Sequence, residues 1–313
     1  MINVKKLPSS YVGYLGLSVA LWLAYVVLTF TAPVNEYTNT FNLEYSQLML
    51  LKLSVVAPFF MIWVVGIFAA TAITNYLNTI KGSPEEKGFG RIQQGVMVLL
   101  LGLTIGAVLG AIRPFILPDQ DMKIMLAVTV RYVNVFMPLI AFGLFFDGAT
   151  SLMRLAKKTG NTLSNLWPAL LTVAVAVFYS WVIFSNPDRQ FGVGPNQTGA
   201  LYLTDTMIIL TLMIPYIAMW TLGIFAAARL SDYSNSVLGT IYRSALSWFA
   251  RGILFTILLS ISFQALTLLN EYFAHAGLQA ILIIVYVLLA AIAMGYVFLW
   301  LGARKLRLIE TVV

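Results

Sequence analysis

Few residues of this sequence could do chemistry, and most of them stand in apolar surroundings. Arg131 lies eight residues after Lys123 and 16 before Asp147. A guanidinium stays charged at any accessible pH. Held in hydrocarbon without a partner it costs at least ~2.5–3.5 kcal/mol. Arg131 must therefore meet an acid, line a water-filled cavity or snorkel to an interface. Glu44, Asp205 and Glu271 are the acids expected on its side. With Asn134 beside it, Arg131 would suit an anionic solute. Asp147 is about 24 Å further along the same helix, too far to pair with it. Its natural partners are Arg91, Arg154 or Arg251, and an anchoring ion pair is preferred to a proton relay. Gln94, Arg251 and Gln264, with Ser262, add polarity within apolar stretches. Arg131, Asn134, Asp147, Gln94, Arg251 and Gln264 together form the candidate polar intramembrane site.

Other chemistries are poorly served. The chain has no Cys and one His, His275. Disulfides, thiolate ligands, thiol nucleophiles and multi-His metal sites are thereby excluded. No P-loop, zincin motif or Ser–His pairing occurs within an apolar stretch. The last stretch offers only Lys305, beyond its end, for a Schiff base. No metal, no cofactor and no enzymatic activity are expected. His275 reads as a surface residue beside Glu271, and Asn196-Gln-Thr is a glycosylation sequon by pattern alone.

The elements that must hold these residues are set by composition. Of 313 residues 60% are hydrophobic and 10% charged, against about 25% charged in a soluble domain. A bilayer accommodates that much apolar surface; a single soluble core does not. The net charge of +7 needs no nucleic-acid partner, because basic residues collect on the cytoplasmic loops of membrane proteins. Crossing the hydrocarbon takes roughly 20 apolar residues. Eight stretches qualify: Tyr11–Thr31, Leu48–Ile73, Ile92–Ile112, Ile124–Leu144, Trp167–Ser185, Thr206–Leu230, Trp248–Leu269 and Leu278–Leu301. Lys and Arg fall mainly between alternate stretches, including Lys81, Lys87, Arg91, Arg154, Lys157, Lys158, Arg229 and Arg243. Arg113, Lys123 and Arg189 lie in loops of the other side, with Lys52 at a helix mouth. All eight stretches then agree on one orientation, both termini cytoplasmic, and a prokaryotic cytoplasmic membrane is the expected location. The first stretch follows Lys5 and Lys6 as a signal peptide would. It is too long for one, and it ends without an A-x-A site.

The chain also repeats itself. Pro58-Phe-Phe-Met-Ile-Trp63-Val-Val-Gly66-Ile-Phe-Ala-Ala70 matches Pro215-Tyr-Ile-Ala-Met-Trp220-Thr-Leu-Gly223-Ile-Phe-Ala-Ala227 at an offset of 157. The register continues through Tyr76/Tyr233, Asn78/Asn235, Gly82/Gly239 and Gly95/Gly252, giving 11 identities in the 38 residues from Pro58. Hydrophobicity alone would match Leu and Val, not Pro, Trp, Tyr, Asn and Gly. Upstream, Tyr25/Tyr179, Phe30/Phe184 and Pro33/Pro187 match at 154. The fold expected is an all-α polytopic membrane protein of eight transmembrane helices. It comprises two tandem parallel four-helix repeats, residues 1–158 and 159–313. A repeat of even span number inserts the same way up twice, so its pseudo-twofold axis follows the membrane normal.

The repeat singles out hinge or packing residues. Pro58 and Pro215 each free a helical carbonyl, of Ser54 and Thr211, four residues back. They read as paired hinges or as inherited static kinks. Trp63 and Gly66, like Trp220 and Gly223, share a helix face and read as packing, or with Trp as a substrate contact. Gly102, Gly106 and Gly110 form overlapping GxxxG motifs, which mark a close approach to a neighbouring helix or a second copy.

Two functions are expected from these features. One is a small-solute transporter or channel-like permease, with its pathway at the pseudo-twofold repeat interface. The other is a non-catalytic membrane scaffold or subunit. The partners expected are the lipid bilayer and either further copies of the chain or other subunits of a membrane complex.

Overall fold

A computed structural model describes residues 7–32, 45–112, 115, 120–157, 166–185, 206–237, 240–273 and 277–310. Its regular elements are eight α-helices: α1 Ser9–Thr31, α2 Tyr45–Thr79, α3 Glu86–Ile112, α4 Gln120–Lys157, α5 Leu166–Ser185, α6 Thr206–Ser236, α7 Thr240–Phe273 and α8 Gly277–Glu310. Six contain a stretch long and apolar enough to cross a membrane, namely α1, α2, α3, α4, α6 and α8. In α5 the apolar stretch Leu170–Trp181 is shorter. At 1.5 Å per residue the 35 residues of α2 reach about 52 Å, well past a hydrocarbon core of about 30 Å. Apolar side chains also cover the outside: Leu17, Leu23 and Val27 on α1, and Leu170, Val177 and Trp181 on α5, are all exposed. Lipid can cover such faces, whereas water would leave them as large apolar patches.

The turn from α2 to α3 is short and backbone-driven. Gly82 takes φ 84°, where a side chain would be strained. Its N–H donates to the Glu86 carboxylate at 2.6 Å, so the first turn of α3 carries an acid where the helix dipole favours one.

Two helix pairs close by glycine seams. On α3 the seam is Gly88, Gly95 and Gly102, each seven residues from the next. A Cβ on Gly88 would meet Leu152, one on Gly95 would meet Phe145, and one on Gly102 would meet Met137, all on α4. Opposite Gly88 lies Gly148, where a Cβ would come 2.6 Å from the Gly88 carbonyl oxygen. Gly252 of α7 packs in the same manner on Leu299 and the Gly295 carbonyl of α8, and Gly302 on Phe249 and the Ala245 carbonyl. Small residues at heptad spacing let the backbones come this close and keep the seam on one face of each helix.

Further contacts join the first four helices to the last four. The α4 helix packs against α6 and the α8 helix against α2. A Cβ on Gly223 of α6 would come 3.1 Å from Phe142 of α4, and Phe89 of α3 meets Phe249 of α7 with ring centroids 5.9 Å apart. Beside them, α2 packs on α3 and α6 on α7. The α1 helix leans chiefly on α3, while α5 leans on α6 and α4. The buried core is apolar and runs continuously from α1 to α8. Its polar members are mostly Ser and Thr, and Thr74, Thr104 and Thr150 return their hydroxyls to the carbonyl four residues back.

Candidate functional site

Among the described side chains, Asp147, Gln94, Arg251 and Asn134 do not gather at one point. Arg91 lies in the first turns of α3 and Asp147 in the last third of α4, and the glycine seam brings them together. Arg91 Nε stands 3.2 Å from Asp147 Oδ2, and Arg91 Nη1 donates to Gln94 Oε1 at 3.1 Å. Arg91 is one of the three arginines expected to serve Asp147, and it forms this ion pair. Arg251 is exposed on α7, its guanidinium carbon 5.1 Å from the centroid of the Trp248 ring. Asn134 is exposed on α4, its amide oxygen covering Gly106 of α3. Arg131 and Gln264 lie on α4 and α7, with their side chains outside the described ones. The side chains of Glu44, Asp205, Ser262, Glu271 and His275 and the Asn196 sequon are outside them too.

The hinge and packing residues resolve more sharply. Pro58 and Pro215 are interior to α2 and α6. The Ser54 carbonyl freed by Pro58 accepts a hydrogen bond from the Tyr286 hydroxyl of α8 at 2.9 Å. The backbone beside Pro58 is therefore tied to α8. A third interior proline, Pro138, lies in α4. Trp63 donates to the Ser18 hydroxyl of α1 at 2.7 Å and stacks with Trp22 and Phe60, so it joins α1 to α2. The buried indole N–H of Trp220 has no partner among the described residues. Gly66 packs on Leu100 and Gly223 on Ile257 and Phe142. Gly102 and Gly106 face α4, but a Cβ on Gly110 would meet nothing within 4 Å among the described residues. Eight residues turn an α-helix about 80° past a whole number of turns, so Gly110 has rotated off the seam that Gly102 occupies.

Lys52 proves to be a helix cap. It is buried, and its ammonium donates to the carbonyl of Ala32 at 3.1 Å and reaches that of Phe30 at 3.5 Å. Those are unsatisfied carbonyls at the end of α1, where a cation also meets the negative end of the helix dipole.

Two further polar groupings were not anticipated. The Tyr233 hydroxyl of α6 donates to Glu85 Oε1 at 2.9 Å, and the Tyr242 ring packs edge-on against Tyr233. Burial raises the Tyr242 hydroxyl well above its usual pKa, with Tyr76, Tyr233 and Glu85 adding to the shift. The sequence signal was present, since Glu85 and Tyr242 stand 157 residues apart, as do Tyr76 and Tyr233. The other grouping is Arg229 of α6, which donates to the Thr150 hydroxyl of α4 and lies 4.2 Å from the centroid of the Phe146 ring. Its signal was a lone cation closing Phe225-Ala-Ala-Ala228. These groups tie helix ends together by hydrogen bonds and cation–π contacts. None sets a nucleophile beside a base. Searched as a whole, the chain matches no family model, no curated protein and no solved structure.

Proposed function

We propose that the chain is an eight-span integral membrane protein made of a duplicated four-helix unit, and that it serves as a non-catalytic scaffold or subunit of a membrane assembly. The duplication is supported by equivalent contacts in the two halves. Gly66 meets Leu100 and Gly223 meets Ile257, and both members of the second pair lie 157 residues after those of the first. Gly148 closes on the Gly88 carbonyl and Ile92, while Gly302 closes on the Ala245 carbonyl and Phe249. These pairs hold the 157 offset in the third helix of each unit and 154 in the fourth. That register also aligns Tyr132 with Tyr286 and Leu152 with Leu306. The exchange of α4 onto α6 and α8 onto α2 is what a twofold axis between the units would produce. The end bearing Lys81, Lys87, Arg154 and Arg243 is read as cytoplasmic.

The observation that carries the scaffold reading is the filling between the units. Phe89, Ile92, Leu246 and Phe249 have no exposure at all, and Phe89 and Phe249 touch across the junction. In the register of the repeat they are two equivalent pairs, so they belong beside the axis. A permeation pathway there needs water and polar lining, and packed aromatic and aliphatic side chains supply neither. The test is flux of anionic solutes into liposomes, measured for the protein and for Arg131→Met, together with the oligomeric state in detergent. The scaffold reading expects no flux above empty liposomes and a defined oligomer or co-purifying subunit. Flux that Arg131→Met abolishes, with folding retained, would overturn it in favour of a permease with Arg131 as its anion-binding group.

A further inference from the structure

We propose that the α7–α8 face around Trp248 binds the headgroup phosphate of an anionic phospholipid. The inference rests on the membrane embedding proposed above. One aromatic ring here holds two cations. The Arg251 guanidinium carbon lies 5.1 Å and Lys305 Nζ 5.6 Å from the Trp248 ring centroid. Lys305 Nζ also donates to the Ser244 hydroxyl at 2.7 Å. A ring face and a hydroxyl position these charges but cancel neither. Among the described residues no carboxylate forms an ion pair with Arg251 or Lys305. The corresponding place in the first half is built differently. Arg91 stands there in register with Trp248, and Asp147 neutralises it. The two halves thus differ at this point in net charge and in aromatic character.

A lipid fits this face better than a free anion does. From Trp248 an aromatic track runs on through Phe298, at 5.1 Å between centroids, to Phe255, a further 5.0 Å on. Both phenylalanines are partly exposed. Phe255 lies seven residues along α7 from Trp248, about 10 Å further along the helix axis. Cations at the helix end and an apolar track leading inward match a phosphate with an acyl chain attached. Tryptophan favours the headgroup level for the same reason, having an apolar body and one polar edge. The guanidinium fork of Arg251 suits phosphate oxygens.

The protein would be reconstituted into phosphatidylcholine vesicles containing one fifth phosphatidylglycerol, and retained lipid read by native mass spectrometry. The parent should retain phosphatidylglycerol above its share of the vesicle. Arg251→Gln and Lys305→Gln should each lower that retention about five-fold, the equivalent of ~1 kcal/mol per juxtamembrane charge, and Arg91→Gln should leave it unchanged. A parent with no preference for phosphatidylglycerol overturns the proposal whether or not the variants fold. So does an equal loss in Arg91→Gln, or displacement of the lipid by millimolar inorganic phosphate, which would make the site one for free phosphate. Resistance to alkaline extraction from pure phosphatidylcholine vesicles tests the embedding separately. A protein that inserts there but shows no lipid preference loses only the headgroup site.

Discussion

Replacing Gly148 by Ala tests the seam between α3 and α4 directly. The new Cβ would stand 2.6 Å from the Gly88 carbonyl oxygen and 2.9 Å from Ile92. Even a favourable C–H···O contact needs ~3.3–3.6 Å, so the helices must part by several tenths of an ångström. The obstacle is backbone, which cannot rotate aside as a side chain would. Overpacking of this kind costs ~1–3 kcal/mol. Alanine regains up to ~1 kcal/mol of helix propensity over glycine. The expected net effect is a loss of ~1–2 kcal/mol. Gly110→Ala is the control. Nothing among the described residues lies within 4 Å of its Cβ, so the propensity gain is expected to dominate and the sign to reverse. Both variants would be compared with the parent by thermal unfolding in one detergent. If Gly148→Ala unfolds no earlier than the parent, the seam is not where the backbones meet. If Gly110→Ala loses as much as Gly148→Ala, the GxxxG face is the true contact and the heptad reading fails.

Tyr286→Phe should destabilise the protein by ~0.5–1.5 kcal/mol, toward the lower end in a membrane, by removing the donor to the Ser54 carbonyl. In a Pro58→Ala background the restored N–H serves that carbonyl, so most of the cost should vanish; an equal cost in both backgrounds would show that the hydroxyl acts elsewhere. Arg91→Gln and Asp147→Asn should show a coupling below ~1 kcal/mol in a double-mutant cycle, because both side chains are partly solvated, 42% and 35% exposed. That coupling should fade in 1 M salt, where the screening length is about 3 Å, and a larger, salt-independent value would place the pair in a desolvated setting.

The sequence alone determined what depends on local composition. Long apolar runs imply helices wherever they occur, since a chain in hydrocarbon must satisfy its own backbone. The eight helices follow from that. The matched strings around Pro58 and Pro215 needed only identity at a fixed offset. Tertiary structure decided what depends on how each helix is rotated. Gly102, Gly106 and Gly110 look equivalent at a spacing of four. The seam takes in Gly102 and Gly106 and continues at a spacing of seven through Gly95 and Gly88, because the crossing of α3 and α4 selects which stripe faces inward. Asp147 had three candidate arginines in the sequence, and only the packing of α3 on α4 brings Arg91 to it. The partner of the Ser54 carbonyl, Tyr286, lies 232 residues away. No local pattern predicts a contact at that separation, because it exists only once α8 has packed against α2.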